Sequence, residues 1–338
     1  MTTISAKSIL ASVNAANTEA RVDTLLLRYP RWIHAEGRTH RLIRIEEDTE
    51  IAIRTPSLME DANLSRNASS SRAIPVSRLI QDVLDDPAVP LYWGKNQKGM
   101  TADEECTELV EVAQYYESHQ REDMFYRRMK LVTREAAWLD EMQHAIVKAR
   151  AFDKAGYHKQ QVNRLLEPYS HITVVATATN WSNFLALRDH PDAEPHICML
   201  AKAVRKALDE AKPQVLKQGE WHLPFVGIDD LVGIHAGAAD AEQATEWSIK
   251  LSVARCASTS YNTVEGFEMT PARAFALHDR LLSSKPPHAS PLEHQASADG
   301  FGINVFKLED GAGWANPHLH GNFVGWCQYR KQIQGECQ

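Results

Sequence analysis

A helix-rich α+β fold is predicted by three features of the sequence. From His196 onward, Ile197, Leu200, Ala201, Val204 and Leu208 recur at helical spacing. Thr270-Pro271 places a good N-cap directly before a proline suited to the first helical position. ITVVATAT, residues 172–179, reads as a strand, and the C-terminal tail alternates turns with short strands.

Taken in order, residues 1–28 read as helical and polar. Residues 29–41, YPRWIHAEGRTHR, are dense in arginine and histidine, and residues 42–63 are acidic and end in PSLMEDAN. The stretch 65–75, SRNASSSRAIP, has two readings. One is a solvated loop, the usual fate of a serine-rich run and the one that local composition favours. The other is a cradle for an anion, with hydroxyls and backbone N–H groups around a phosphate and arginine supplying charge. Val76 to Leu84 resumes a helical period. Residues 103–165 read as a long amphipathic helix broken near Ala155-Gly156. A helix is expected over Asn180–Leu187, after the strand. Residues 214–235 are mixed, a strand excursion or a lid. Helices follow over Ala241–Ala257 and from Pro271 to about Ser283. No internal repeat is evident.

Composition narrows the function classes. The 338 residues suit one large domain or two modest ones, and 43% hydrophobic residues suffice for a core. With 37 Lys and Arg against 44 Asp and Glu, the net charge is −7. That argues against extended nucleic-acid binding but leaves room for a local basic pocket. The five cysteines form no C-x-x-C pair, and an odd count suits a reducing compartment better than a disulfide framework. No secretory signal or bilayer-spanning run is evident, so a cytoplasmic location is expected.

Several motifs are weighed and set aside. GKNQKGMT, residues 94–101, nears a phosphate-binding loop, but Met100 stands where lysine is required, so a turn is expected. His318 and His320 would share one face of a strand, with His288 and His294 upstream. Their spacing matches no standard zinc pattern, and no metal is expected. Cys198 reads as a structural thiol. Arg188 closes an apolar helical segment, where it either satisfies the helix C-terminus or projects into a pocket as an anion stabiliser.

Taken together, these pieces resemble the flavin-dependent thymidylate synthases. That family carries R-H-R-x-x-S, continuing as S-x-N-x-x-S-x-R. Ser65, Asn67, Ser70 and Arg72 fit the second half, and Thr39-His40-Arg41 fits the first, with threonine replacing the first arginine. Between Arg41 and Ser65 the family has two residues and this chain has 23, so the resemblance implies an insertion over 42–63, a lid or a surface excursion. A second block, Asn163-Arg164 with LLEP and then TATNWSNFLALRDHPDAEPHICMLA, resembles the family's region with a pyrimidine-contacting arginine. The third block is out of order. Ala254-Arg255, Tyr261, the helix from Pro271, and His288, Ser290, Pro291, Glu293 and His294 resemble the family's opening module. The resemblance thus implies a circular permutation, as in some phage-type members. The chain would be a single domain, with 241–338 as the transposed module, and the fold would have a central mixed or antiparallel sheet.

The resemblance implies reductive methylation of dUMP at C5, with 5,10-methylenetetrahydrofolate giving the carbon and NADPH reducing FAD. Ser70 and Arg72 would hold the nucleotide phosphate, and Glu36 and Arg164 would be further nucleotide contacts. Arg188 would stabilise charge on the pyrimidine during catalysis. Thr39, His40, Arg41, Asn67, Ser70, Asn183, Ser290, Glu293 and His294 would line the flavin. A homotetramer with sites between subunits is implied, and neither membrane nor nucleic acid is an expected partner.

Departures from the pattern leave alternatives. Glu36 and Glu194 stand where the family has glutamine, Ala68 and His196 where it has glutamate. A carboxylate accepts hydrogen bonds and an amide both donates and accepts, so base specificity is open to retuning. A flavin- and folate-dependent pyrimidine hydroxymethylase or dCMP methylase for DNA modification is one rival. A non-catalytic nucleotide- or RNA-binding descendant is another.

Overall fold

The computed structural model describes residues 2–34, 42–46, 49–53, 64–68, 74–99, 102–118, 121–258, 269–284, 288–303 and 312–333. Its N-terminus is a hairpin rather than the polar helix expected there. Strand β1, Ser5–Asn14, turns at Ala15-Ala16 into β2, Asn17–Pro30. The Asn14 Oδ1 accepts from the Ala16 N–H at 2.8 Å and holds the turn. The period is two, not 3.6. Leu25, Leu27 and Tyr29 are buried on one face of β2, and Val22 and Thr24 on the other. Both faces are covered, so polar residues mark the ends of the strands more than one side, and the alternation is masked.

The remaining elements follow in chain order. Strands β3 (Leu42–Glu46) and β4 (Thr49–Ile53) pair with each other, then comes β5 (Leu64–Ala68). Helix α1 (Val76–Asp85) precedes a further hairpin, β6 (Val110–Ser118) and β7 (Arg121–Val132). Next are α2 (Arg134–Lys154), α3 (Lys159–Val162) and a 3-10 stretch, Asn163–Tyr169. Strand β8 (His171–Ala178) leads to α4 (Ser182–Arg188) and α5 (Pro195–Glu210). Strands β9 (Gln214–Leu216) and β10 (Trp221–His222) precede α6 (Ile228–Gly237), α7 (Ala241–Ala257) and α8 (Pro271–Ser283). After the 3-10 turn Ser290–Glu293 come β11 (Ala296–Ala298), β12 (Phe301–Ile303), β13 (Ala312–Trp314) and β14 (Trp326–Gln328).

The helix expected through 103–165 is half right. Its first part is the β6–β7 hairpin, where VEVAQYY and MFY supply the branched and aromatic residues that favour a strand. The helix itself begins only after Thr133, whose Oγ1 accepts from the Ala136 N–H at 3.2 Å. It ends where expected, with Gly156 at φ +85°.

The main sheet runs β5-β8-β2-β1-β9 and is mixed. β1 and β9 are parallel, and the other pairs are antiparallel. Helices α4 and α5 cover one face, where Leu25, Leu27, Val174 and Ala176 meet Phe184, Ile197, Leu200 and Val204. Burying each Leu, Val or Ile here contributes roughly 1.5–3 kcal/mol. The opposite face carries the small sheet β10-β11-β14, with Trp326 and Phe323 packed on Val22 and Leu216. Helix α1 packs through Leu79, Ile80 and Val83 on Met142 and Ile146 of α2 and on Leu166. Helix α7 packs on α8 and, through Ile249 and Val253, on Leu292 of the Ser290–Glu293 turn.

The tail is closed by a tight turn at Gly325, which sits at φ +86°. A Cβ built there meets the Trp314 ring at 2.7 Å and the Ala20 Cβ at 2.8 Å. Gly325→Ala is therefore expected to cost about 2–4 kcal/mol, from left-handed strain and overpacking together. A fall in the urea midpoint at unchanged slope checks it; an unchanged midpoint contradicts the packing described.

The segment over His318 and His320 is not a strand. Pro317–Leu319 is a 3-10 turn, so the two histidines share no strand face. The His320 Nε2 donates to Asp299 Oδ2 at 2.9 Å, and its Nδ1 accepts from the Gly325 N–H at 3.2 Å. Among the described residues no cluster of three or more His, Cys, Asp or Glu is arranged to hold a metal, and no helix is long and apolar enough to cross a membrane.

Candidate functional site

Strand β5 carries the first part of the SRNASSSRAIP stretch onto the edge of the main sheet. Its register places Ser65 opposite Thr177 and Asn67 opposite Val175. Asn67 is placed by its backbone alone. Ser70 and Arg72 lie outside the described residues, as do Glu36, Thr39, His40 and Arg41. Of the 42–63 segment, the described parts are the paired strands β3 and β4.

Two parts of the chain far apart in sequence meet at β5. The Ser290–Glu293 turn packs on it, so the S-x-N and S-P-x-E segments are neighbours. Near the exit of the Ser/Arg stretch, the Asn163 amide donates to the Ile74 carbonyl at 2.9 Å and is fully buried. This bond ties the Asn163-Arg164 block to the same stretch. Arg164 itself is exposed, 3.9 Å from Glu167.

At the other end of β5, Leu64 pairs with Ala178, the last residue of β8. From there Asn180 opens α4, its Oδ1 accepting from the Ser182 N–H at 2.8 Å. Asn183 lies half-buried in the first turn of α4. Arg188 ends the helix and is only 6% exposed. Arg164 and Arg188 thus belong to elements at opposite ends of β5.

Within the Ser290–Glu293 turn, Ser290 is exposed and Leu292 is buried. The Glu293 carboxylate pairs with Arg330, and its backbone carbonyl accepts from the Gln328 amide at 2.8 Å. Arg255, from the Ala254-Arg255 pair, makes a two-pronged contact with Asp230 at 2.6 and 2.8 Å. Tyr261 lies outside the described residues.

Glu194 and His196 are committed to the fold. The Glu194 Oε2 accepts from the Ile197 N–H at 2.9 Å and caps α5. The His196 Nε2 accepts from the Leu91 N–H at 2.8 Å, which makes its Nδ1 the donor to Glu194. These two departures from the family pattern therefore serve local structure.

The feature that sequence reasoning missed is a buried hydrogen-bond chain across the second face of the sheet. The Gln214 amide approaches Ser12 Oγ at 3.2 Å, and Ser12 Oγ lies 2.8 Å from His222 Nδ1. The His222 Nε2 is 2.9 Å from Thr24 Oγ1, which is 2.7 Å from Thr177 Oγ1. Thr177 Oγ1 is then 2.9 Å from His294 Nδ1. His222 and His294 are fully buried, and burial pushes both down to about 3, with His294 lowering His222 further. Both are neutral at pH 7. Among the described residues, the His294 Nε2 has no partner. The six groups come from six segments, and no local pattern links them.

No protein-family model matches this chain, and no curated protein matches it.

Proposed function

We propose that the chain is a flavin-dependent enzyme of the thymidylate synthase type, methylating dUMP at C5. The observation that carries this reading is the packing of the Ser290–Glu293 turn on β5. It sets beside each other the two motif segments that the permuted order separates. The fully buried nitrogen of His294 next to that turn, unpartnered among the described residues, is the sort of group a bound heterocycle would satisfy.

In this reading FAD, reduced by NADPH, and methylenetetrahydrofolate supply the hydride and the carbon. The chain binds and orients the nucleotide. Ser70 and Arg72 follow β5 and take the phosphate, for which an arginine fork is well shaped. Arg188 stabilises negative charge on the pyrimidine, and a guanidinium held in a largely buried place acts strongly there. Arg164 and Arg188 stand at opposite ends of β5 in one chain, which fits a homotetramer whose sites draw on more than one subunit.

A spectrophotometric titration tests the reading. The purified chain is expected to retain FAD at one per subunit, to bleach under NADPH without oxygen, and to perturb the flavin spectrum on adding dUMP. A colourless chain that takes up no FAD refutes it and favours a non-catalytic nucleotide-binding role.

A further inference from the structure

The buried chain has a direction. A glutamine side-chain nitrogen only donates, so the Gln214 amide donates to Ser12 Oγ. The Ser12 hydroxyl then donates to His222 Nδ1, leaving the proton of neutral His222 on Nε2 to donate to Thr24 Oγ1. Thr24 donates to Thr177, and Thr177 donates to His294 Nδ1. Every link is satisfied in this sense. In the opposite sense Ser12 Oγ would accept from both the Gln214 amide and His222 Nδ1–H, leaving the serine proton with no acceptor among the described residues. The chain steps across β9, β1, β2 and β8, and the next strand in the sheet is β5.

We infer that this chain fixes His294 as the Nε2–H tautomer, and that this N–H donates to a neutral ring carbonyl of a bound heterocycle, a pyrimidine or a flavin. The identity of the heterocycle rests on the proposed function; the tautomer does not. A buried donor left unsatisfied costs about 1–3 kcal/mol, so an acceptor is called for. A neutral imidazole brings no charge, which suits a carbonyl better than a phosphate dianion. A nitrogen that carries the proton has no lone pair for a metal. Thr177, Thr24 and His222 are positioning residues that act through His294.

The test uses the full chain labelled with 15N-histidine, with His294 assigned through His294→Gln. In the free protein the expected spectrum is the Nε2–H tautomer. Thr24→Val cuts the chain and frees the Thr177 hydroxyl to accept instead of donate. It is expected to give the Nδ1–H tautomer or a mixture, and to weaken heterocycle binding about tenfold. Thr24→Ser is expected to restore both. Thr24→Val that folds but keeps a pure Nε2–H signal overturns the inference. So does an Nδ1–H signal in the wild type.

Titration with FAD and with dUMP separates the two rings. A downfield shift of the Nε2 proton with one of them identifies the carbonyl's source. Flavin binding with no shift from either ligand overturns the inference and leaves the proposed function standing. Absence of flavin binding with a shift from dUMP does the reverse.

Discussion

Arg188→Lys is expected to lower turnover of dUMP at least about a hundredfold while leaving the melting temperature nearly unchanged. Lysine keeps the charge but loses the planar fork that holds a delocalised anion at two points. Removing one preorganised donor to developing charge typically costs on the order of 10²–10³ in rate. Arg188 is 6% exposed at the end of α4, so its charge is little screened by water. The control is Arg205→Lys, at the Asp189 ion pair beside the same helix. It is expected to change turnover less than twofold. An Arg188→Lys enzyme of normal turnover would show that Arg188 only satisfies the helix C-terminus.

The second large effect is acid unfolding. His222 and His294 are held near 3 in the folded state and titrate near 6.5 when unfolded. Between those values the unfolded chain binds up to two more protons, so stability rises with pH there and falls on acidification. Above about pH 6.5 these groups contribute no slope. Below it, each removes about 1.4 kcal/mol per pH unit. His171, lowered to about 4 by burial and by Arg28, adds to the fall over a narrower window. Together the three imidazoles remove about 6 kcal/mol by pH 5 and about 10 kcal/mol by pH 4, so a domain of roughly 6–10 kcal/mol is expected to unfold between about pH 4 and 5. Urea unfolding followed by tryptophan fluorescence from pH 7 to 4 measures the slope. His222→Gln should reduce it by about a third, since His294 and His171 still contribute. Constant stability across that range would mean that the two imidazoles are not buried neutral.

Sequence reading succeeded where local chemistry decides the structure. Helix α1 begins next to Pro75, and α8 begins at Pro271 after Thr270, as their residues require. The strand at β8 was legible from its branched residues. Reading failed where both faces of a strand are buried, as at β1 and β2. It failed again at 110–132, where charged residues at the strand ends imitate an amphipathic helix. His318 and His320 were misplaced because Pro317 starts a turn there.

The site was legible only as motifs. Their order in the chain suggested a permutation, and the contact of the Ser290–Glu293 turn with β5 could not be read from that order. The Ser12–His222–Thr24–Thr177–His294 chain could not be read, because strand register alone brings Thr24 opposite Thr177. Glu194 and His196 looked like specificity changes, yet each has a bonding partner within α5 or at Leu91. Residue type at a motif position does not reveal which neighbour claims the side chain.

The most direct test is to weigh the product. The purified chain is given FAD, NADPH and methylenetetrahydrofolate, with dUMP and dCMP offered separately, and the nucleotides are analysed by mass spectrometry. A methyl gain on dUMP alone is the result this account predicts. A hydroxymethyl gain, a product from dCMP, or unchanged nucleotides from a flavin-loaded chain would contradict it.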